Sequence, residues 1–432
     1  MPSTKLIAIA VCFFAIIASS VANAQSRSTS EYWVSAWSAA VQTQPPFPGL
    51  PPVPVFDNQT IRMVIRPTID GNHLRIRLSN AFGTAPLKIG AAQIAIAGKD
   101  SALFPNTNRA LTFNGAASVN IPAGASMLSD AVAFDVTSLT EIAISLFVPE
   151  MTTASTLHFW GQHETYISTI GDFTAKVEMP IASKTNSWYF LADLEVLASR
   201  QTGALVTLGD SITDGAGAKQ GDYTDWPDLL ANRLAHERQL PSVAIVNEGI
   251  GGNRILYDGA GVNALARFDR DVLAQPGIVD LIVLEGINDI GWPHMKPRKL
   301  PDGTTPREAP FAHQLVVAND LIAGLTQIIE RAHQHGIKVY GATLTPYEGA
   351  DYYTADGEAT RKDVNQWIRT SGVFDGVIDF DAALRDAEHS GRLRADYDSG
   401  DHLHPSAAGY KAMAAAVDSK MLRASAAPLK MP

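Results

Sequence analysis

The run Ala204-Leu205-Val206-Thr207-Leu208-Gly209-Asp210-Ser211-Ile212-Thr213-Asp214-Gly215 decides the fold of this chain. Its first half is apolar with no polar alternation, the pattern of a strand covered on both faces, as in parallel sheets. Its second half is a tight, glycine-flanked turn. A serine there has its hydroxyl at the carboxyl edge of the sheet, with backbone N–H groups free nearby, as an oxyanion site requires. Spacing sets aside three other turns. A phosphate loop needs Gly-Lys-Ser/Thr after four residues, and Lys219 is misplaced. An α/β-hydrolase elbow needs glycine where Thr213 stands. A dinucleotide fingerprint from Gly249-Ile250-Gly251 meets Arg254 in place of its third glycine. Taken alone, Ser211 reads more safely as a plain turn serine.

Downstream, apolar runs alternate with helical patterns, which predicts βα units on a parallel sheet. Strands are expected at Ala204–Leu208, Val243–Asn247, Leu281–Leu284, Lys338–Thr343 and Gly376–Phe380. Helices are expected at Trp226–Arg238, Gln314–Gln334, Arg361–Thr370 and Ala407–Ala424. The Pro-rich, basic segment Trp292–Pro310 is an insertion after the third strand, on the ligand-binding side of such sheets, and reads equally as a lid or a surface loop.

Upstream, from about Glu31 to Leu197, the period is two. Thr60–Arg66, His73–Leu78, Glu141–Val148 and Trp188–Leu191 read as half-buried strands of a β-sandwich, with Gly71-Asn72 as a hairpin turn and Gln44–Val55 as a Pro-rich loop. Arg62, Arg66, Arg75 and Arg77 alternate with apolar residues, which predicts a solvated sheet face; the sharper alternative is a surface for an acidic polymer.

The carboxyl end reweights Ser211. Asp401-His402-Leu403-His404-Pro405 places a carboxylate and an imidazole three residues apart, close enough to meet within one turn. Asp401 can then hold the imidazolium that forms when His404 takes a serine proton, and a serine hydroxyl is a poor nucleophile without such a base. His402 is a competing base, expected to point to another face of the turn. Asp396, Asp398, Asp401, His402 and His404 also have the chemistry of metal ligands, a reading that leaves the serine turn unexplained.

Four blocks together resemble the GDSL or SGNH hydrolase superfamily: Ser211 in Gly209–Gly215, Gly252 in Asn247–Arg254, Asn288 in Glu285–Asp289, and Asp401 with His404. The resemblance covers about 204–422 and departs from the family name only in Ile212, where leucine is usual. It implies a three-layer α/β/α sandwich with a parallel sheet. It also implies a catalytic Ser211, Asp401 and His404, and an oxyanion hole built from the N–H groups of Ser211 and Gly252 and the amide of Asn288. No cofactor or metal is expected. Asp210, Asp214 and Asp289 are expected to brace the site or cap helices; Trp226, Trp292 and Tyr347 are candidates for the acyl or alcohol pocket. The whole chain further resembles a secreted branch with an N-terminal β-domain, some of whose members are linked to xylan and other plant polysaccharides.

Bulk properties bound the partners. At 432 residues the chain suggests two domains, 31–200 (β-sandwich) and 201–425 (hydrolase). A net charge of −10 argues against nucleic acid or anionic membrane as the main partner. Lys5, the apolar run Leu6–Ile17 and Ala22-Asn23-Ala24 predict a signal peptide over residues 1–24, too short for a stable membrane span. The single cysteine, Cys12, falls inside it, so the mature chain would carry neither disulfide nor thiol nucleophile, and export leads to the periplasm or the medium. The expected activity is hydrolysis of short acyl esters, chiefly acetyl on carbohydrate, with the β-domain bracing the site and touching substrate. A lipase or broad carboxylesterase or arylesterase is the alternative within hydrolysis, and a non-catalytic carbohydrate-binding protein the alternative outside it. Acyl length, alcohol and oligomeric state are not legible.

Overall fold

Every side chain from Ala204 to Leu208 is withdrawn from solvent, and the same holds from Ile278 to Leu284. The computed structural model, which describes residues 31–423 except 48, 200, 238–241, 298–302, 306–307 and 309–310, shows why. These segments are inner strands of a five-stranded sheet ordered Val243–Gly249, Gly203–Gly209, Ile278–Leu284, Lys338–Ala342, Gly376–Ile378, all parallel. The expected signal peptide and most of the expected 292–310 insertion lie outside the described residues.

In chain order the sheet reads 2-1-3-4-5. The second strand lies to one side of the first and all later strands to the other. Right-handed crossovers therefore place the intervening helices on opposite faces. Trp226–His236 packs with Ala407–Ala416 on one face. Ala318–Gln334 packs with Ala355–Thr370 on the other. The result is the expected three-layer sandwich. Helix starts follow local chemistry: Asp225 accepts from Asp228 N at 2.9 Å, with Pro227 in the first turn, and Asp320 reaches back to Val317 N at 3.0 Å. In Ala318–Gln334 the buried Leu321, Gly324, Leu325, Ile328, Ile329 and Ala332 recur at helical spacing. The reversal of strand order falls between Gly203–Gly209 and Ile278–Leu284, the place where such sheets open a crevice at their carboxyl ends.

The N-terminal part is a β-sandwich of two antiparallel sheets. One is ordered Tyr32–Ser38, Leu191–Ala198, Gly71–Ser79, Val132–Val136, with Ser126–Leu128 also on Gly71–Ser79. The other is ordered Ile181–Thr185, Thr165–Ile170, Gln59–Ile65, Ile142–Val148, Ala91–Ile96, Arg109–Leu111. The Gly71-Asn72 hairpin is corrected: Gln59–Ile65 and Gly71–Ser79 lie in different sheets. Pro67–Asp70 carries the chain between them, anchored by Thr68. Its Oγ1 accepts from Ile245 N at 2.9 Å and lies 3.1 Å from the carbonyls of Ala36 and Ile245.

The arginine reading is also corrected. Arg62 is fully buried and donates to Ser145 Oγ and to the carbonyls of Ser101, Phe173, Lys176 and Val177. Arg75 and Arg77 pair with the buried Glu195, and Arg66 pairs with Asp228. The alternation is real, but in both sheets loops and the α/β part cover these positions. The four charges are thereby satisfied within the chain, which removes the case for an acidic polymer there.

The two parts share an edge. Tyr32–Ser38 runs beside Val243–Gly249, Ala39 bridges Asn247, and Ala204 and Ala244 belong to the apolar core of the sandwich. Substituting Arg62→Met should lower stability by about 3 kcal/mol, because five acceptors, two of them buried, lose their donor together. Urea unfolding of the two proteins measures it.

Candidate active site

Asp210 ends the first parallel strand in an extended conformation and caps the short helix Ser211–Asp214, accepting from Ile212 N at 2.9 Å. Gly215, at φ 103°, closes that helix. This holds Ser211 at the carboxyl edge of the sheet. Gly217, at φ 88°, allows the opposing loop to approach, since a Cβ there would sit 3.2 Å from His404 Cβ.

That loop folds on its own carboxylates. Asp398 Oδ1 accepts from Gly400 N and His402 N, and Asp401 Oδ1 accepts from Leu403 N and His404 N. His402 takes a left-handed φ of 64° and turns its ring to Asp398, 2.6 Å away, as expected for a histidine on another face. His404 faces inward. Its Nδ1 is 2.6 Å from Asp401 Oδ2 and its Nε2 is 2.8 Å from Ser211 Oγ. Because a carboxylate only accepts, Nδ1 carries the hydrogen and Nε2 presents its lone pair to the serine hydroxyl. Partial burial opposes ionisation of Asp401, but the hydrogen bond and charge of His404 and the two amides outweigh it, holding the carboxyl well below the usual range. The other proposed metal ligands are engaged elsewhere, Asp396 with Arg394 and Asp398 with His402. Among the described residues no group of three or more such side chains is arranged to hold a metal ion.

Gly252 sits at φ 79° with a Cβ position only 2.7 Å from Trp292 Cζ2, so no other residue fits without displacing that ring. Among the described residues neither its N–H nor that of Ser211 reaches a protein acceptor. Asn288, on Ile287–Gly291, donates to Asn253 O at 3.0 Å and accepts from Tyr352 Oη at 3.2 Å. These contacts fix its amide and leave one Nδ2 hydrogen to aim elsewhere. Asp289 ties the same helix to the glycine loop, accepting from Ile255 N at 2.7 Å and Leu256 N at 3.0 Å. Burial raises it to about 6 despite those amides.

Sequence reasoning missed three supporting residues. Arg267, fully buried, donates to Glu248 O, Gly209 O and Asn253 Oδ1 at 2.7, 3.1 and 2.9 Å. It thus joins the ends of the serine and glycine strands. Tyr352 orients Asn288, and His158, from the sandwich, meets Asp214. Only long-range topology brings them there, so no local pattern marks them. Of the aromatic candidates, Trp226 and Tyr347 lie in the core, Trp226 against Phe380, while Trp292 backs Gly252. Two half-buried rings from the N-terminal part also border this turn. Trp160 presses on Gly251, and Phe47 lies 6.4 Å from Trp160 and 5.6 Å from Trp292.

Residues 207–412 match the model of the GDSL-like Lipase/Acylhydrolase family. Among solved structures, a GDSL-like lipase from Bacteroides thetaiotaomicron is 17% identical, covering 51% of this chain and 88% of its own (TM-score 0.37). An aryl esterase from M. smegmatis is 14% identical (52% and 99%, TM-score 0.38). A mutant of Axe2, an acetyl-xylooligosaccharide esterase from Geobacillus, is 23% identical (50% and 91%, TM-score 0.36). A search of curated proteins gives no match.

Gly252→Ala should lower stability by about 1–3 kcal/mol, combining left-handed backbone strain with the Trp292 contact. Gly124→Ala, at φ 76° with open space around it, should cost about 1 kcal/mol or less, and thermal unfolding of both variants separates strain from crowding.

Proposed function

Residues 207–412 being a GDSL-like lipase/acylhydrolase domain, and the protein with them a carboxylic ester hydrolase, we propose that Ser211, His404 and Asp401 cleave short acyl esters, chiefly acetyl, on carbohydrate. The observation that carries the mechanism is the unbroken series Ser211 Oγ, His404 Nε2 at 2.8 Å, His404 Nδ1, Asp401 Oδ2 at 2.6 Å. Ser211 Oγ attacks the ester carbonyl as His404 takes its proton, and Asp401 stabilises the imidazolium. The carbonyl oxygen gathers charge and is met by the N–H groups of Ser211 and Gly252 and the free Nδ2 hydrogen of Asn288. His404 then returns the proton to the departing alcohol. Water, activated by the same imidazole, releases the acyl group.

The alcohol preference rests on the half-buried Phe47 and Trp160 at the oxyanion turn, which present flat apolar faces of the kind that sugar rings stack against. An aryl alcohol fits the same faces, which keeps arylester hydrolysis as the second reading. Export through the 1–24 segment belongs to this proposal, since acetylated polysaccharide lies outside the cell. No helix of the described residues is long and apolar enough to cross a membrane.

The test is hydrolysis of para-nitrophenyl esters from acetyl to palmitoyl beside acetylated xylan, with Ser211→Ala as control. Short-chain turnover and acetate release from xylan, both abolished in Ser211→Ala, are expected. A long-chain preference without acetate release would replace the carbohydrate reading with a lipase. Asp401→Asn should lower kcat by roughly 10²–10⁴, because Nδ1 loses its anionic partner. Phe47→Ala should raise KM for acetylated xylo-oligosaccharides roughly fivefold, equivalent to about 1 kcal/mol of ring contact, and leave ethyl acetate unchanged.

A further inference from the structure

A second histidine–aspartate pair lies between the two parts of the molecule. His158 belongs to the sandwich and is buried. Its Nδ1 is 2.9 Å from Ala40 O and its Nε2 is 2.9 Å from Asp214 Oδ1. A carbonyl oxygen only accepts, and so does a carboxylate. Both ring nitrogens therefore carry hydrogen, and the pair is an imidazolium against a carboxylate. The other oxygen, Asp214 Oδ2, accepts from Gly251 N at 2.8 Å. Gly251 immediately precedes Gly252, and Trp160, also from the sandwich, packs on its Cα side. A continuous run of contacts thus leads from Ala40 through His158 and Asp214 to the oxyanion turn.

We propose that His158 is a positioning residue for ester hydrolysis: through Asp214 it sets the Gly251–Gly252 turn and so aims the Gly252 N–H at the oxyanion. The inference rests on the Ser211–His404–Asp401 reading above. It assigns the N-terminal sandwich a share in the chemical step, separate from any contact with substrate. An N–H aimed at the transition-state oxygen acts on kcat, whereas substrate grip acts on KM.

The bridge should also leave a mark on the pH profile. Burial works against the charge on His158, but Asp214 outweighs it and raises the group above an ordinary histidine. Arg267, behind Asp214, pulls the other way. The remaining ionisable groups around the adjoining cavity of 50 Å³ are Arg66, paired with Asp228, Asp225 and Tyr223, both raised by burial, and His163, lowered by burial. Because the folded-state value is raised, the bridge is intact at low and neutral pH and is lost as pH rises through that value. A lone pair then faces an acceptor and the turn loosens. Activity should therefore decline on the alkaline side.

The experiment uses the full mature chain and para-nitrophenyl acetate. His158→Ala should lower kcat roughly tenfold or more with KM within about twofold. His158→Gln, whose amide can donate to Asp214 without charge, should recover most of that loss and show no alkaline decline. Asp214→Asn should resemble His158→Ala, and the double variant should be no worse than either, since both break one series of contacts. A folded His158→Ala with kcat within about twofold of wild type, a loss confined to KM, or additive single losses would each overturn the proposal. Should these variants not fold, a wild-type kcat that shows no decline on the alkaline side overturns it alone. Ser211→Ala, run in parallel, reports on the underlying catalytic reading independently of His158.

Discussion

The catalytic end of this molecule hangs on one buried guanidinium. Arg267 donates to the carbonyls of Gly209 and Glu248, at the ends of neighbouring parallel strands, and to Asn253 in the loop beyond. Strand ends normally splay because their last carbonyls run out of ladder partners. Here a planar fork of donors joins them, in a geometry that lysine cannot reproduce. Asn253, so held, supplies the carbonyl that orients Asn288, and Asn288 is oriented from its other side by Tyr352. The relative placement of the serine, glycine and asparagine blocks thus follows from a residue that belongs to none of them.

The charge of Arg267 sits between one acid that is well compensated, Asp271, which Arg270 also pairs, and one that is not, Glu285. Asp271 lies 3.1 Å from it and Glu285 3.9 Å, and among the described residues neither oxygen of Glu285 has a side-chain hydrogen-bond partner. Burial, reinforced by the nearby Asp210, raises Glu285 well above an ordinary glutamate, and burial likewise raises Asp210 to about 7. Burial thus disfavours the charged forms of Asp210, Glu285 and Asp289 at the floor of the site. Such a floor is adapted to geometry rather than to acid–base work: Asp210 serves as a helix cap, Asp289 as a clamp on the glycine loop, and Asp214 as a clamp on Gly251.

Much of this is readable in the chain, and the division between what is and is not has a physical cause. The parallel strands and their helices are local patterns, and most ends agree within about four residues; the helix expected from Arg361 starts six residues earlier, at Ala355, where Thr354 caps it, and the one expected over Ala407–Ala424 ends at Ala416 before the short helix Ser419–Arg423. Asp401 and His404 are three residues apart, so their meeting is a property of one turn. By contrast, Gly71-Asn72 has the composition of a hairpin, yet Thr68 is bonded to the catalytic part and the chain crosses between sheets. Arg62 reads as solvated because period two shows which residues share a face, not what later covers that face. Trp226 and Tyr347 are pocket candidates in the sequence, but large aromatics more often fill cores, and these do. His158 and Arg267 depend on contacts spanning 56 and 58 residues, and no local pattern encodes them.

The two histidine–aspartate pairs show how environment assigns different roles to the same side chains. His404 has a carboxylate on one nitrogen and a hydroxyl on the other. A hydroxyl can donate or accept, so His404 can gain and return a proton while both contacts persist. His158 has pure acceptors on both nitrogens and no access to solvent. It can lose its proton only by breaking a contact, so as long as the bridge is intact it holds both its proton and its place. Under the proposed mechanism the mobile proton belongs to His404, where substrate would arrive and alcohol leave. The fixed one belongs at the seam, where it meets Asp214 and Asp214 in turn keeps Gly251 in place. A β-domain that contributes such a fixed charge is joined to the reaction more firmly than a tethered binding module would be.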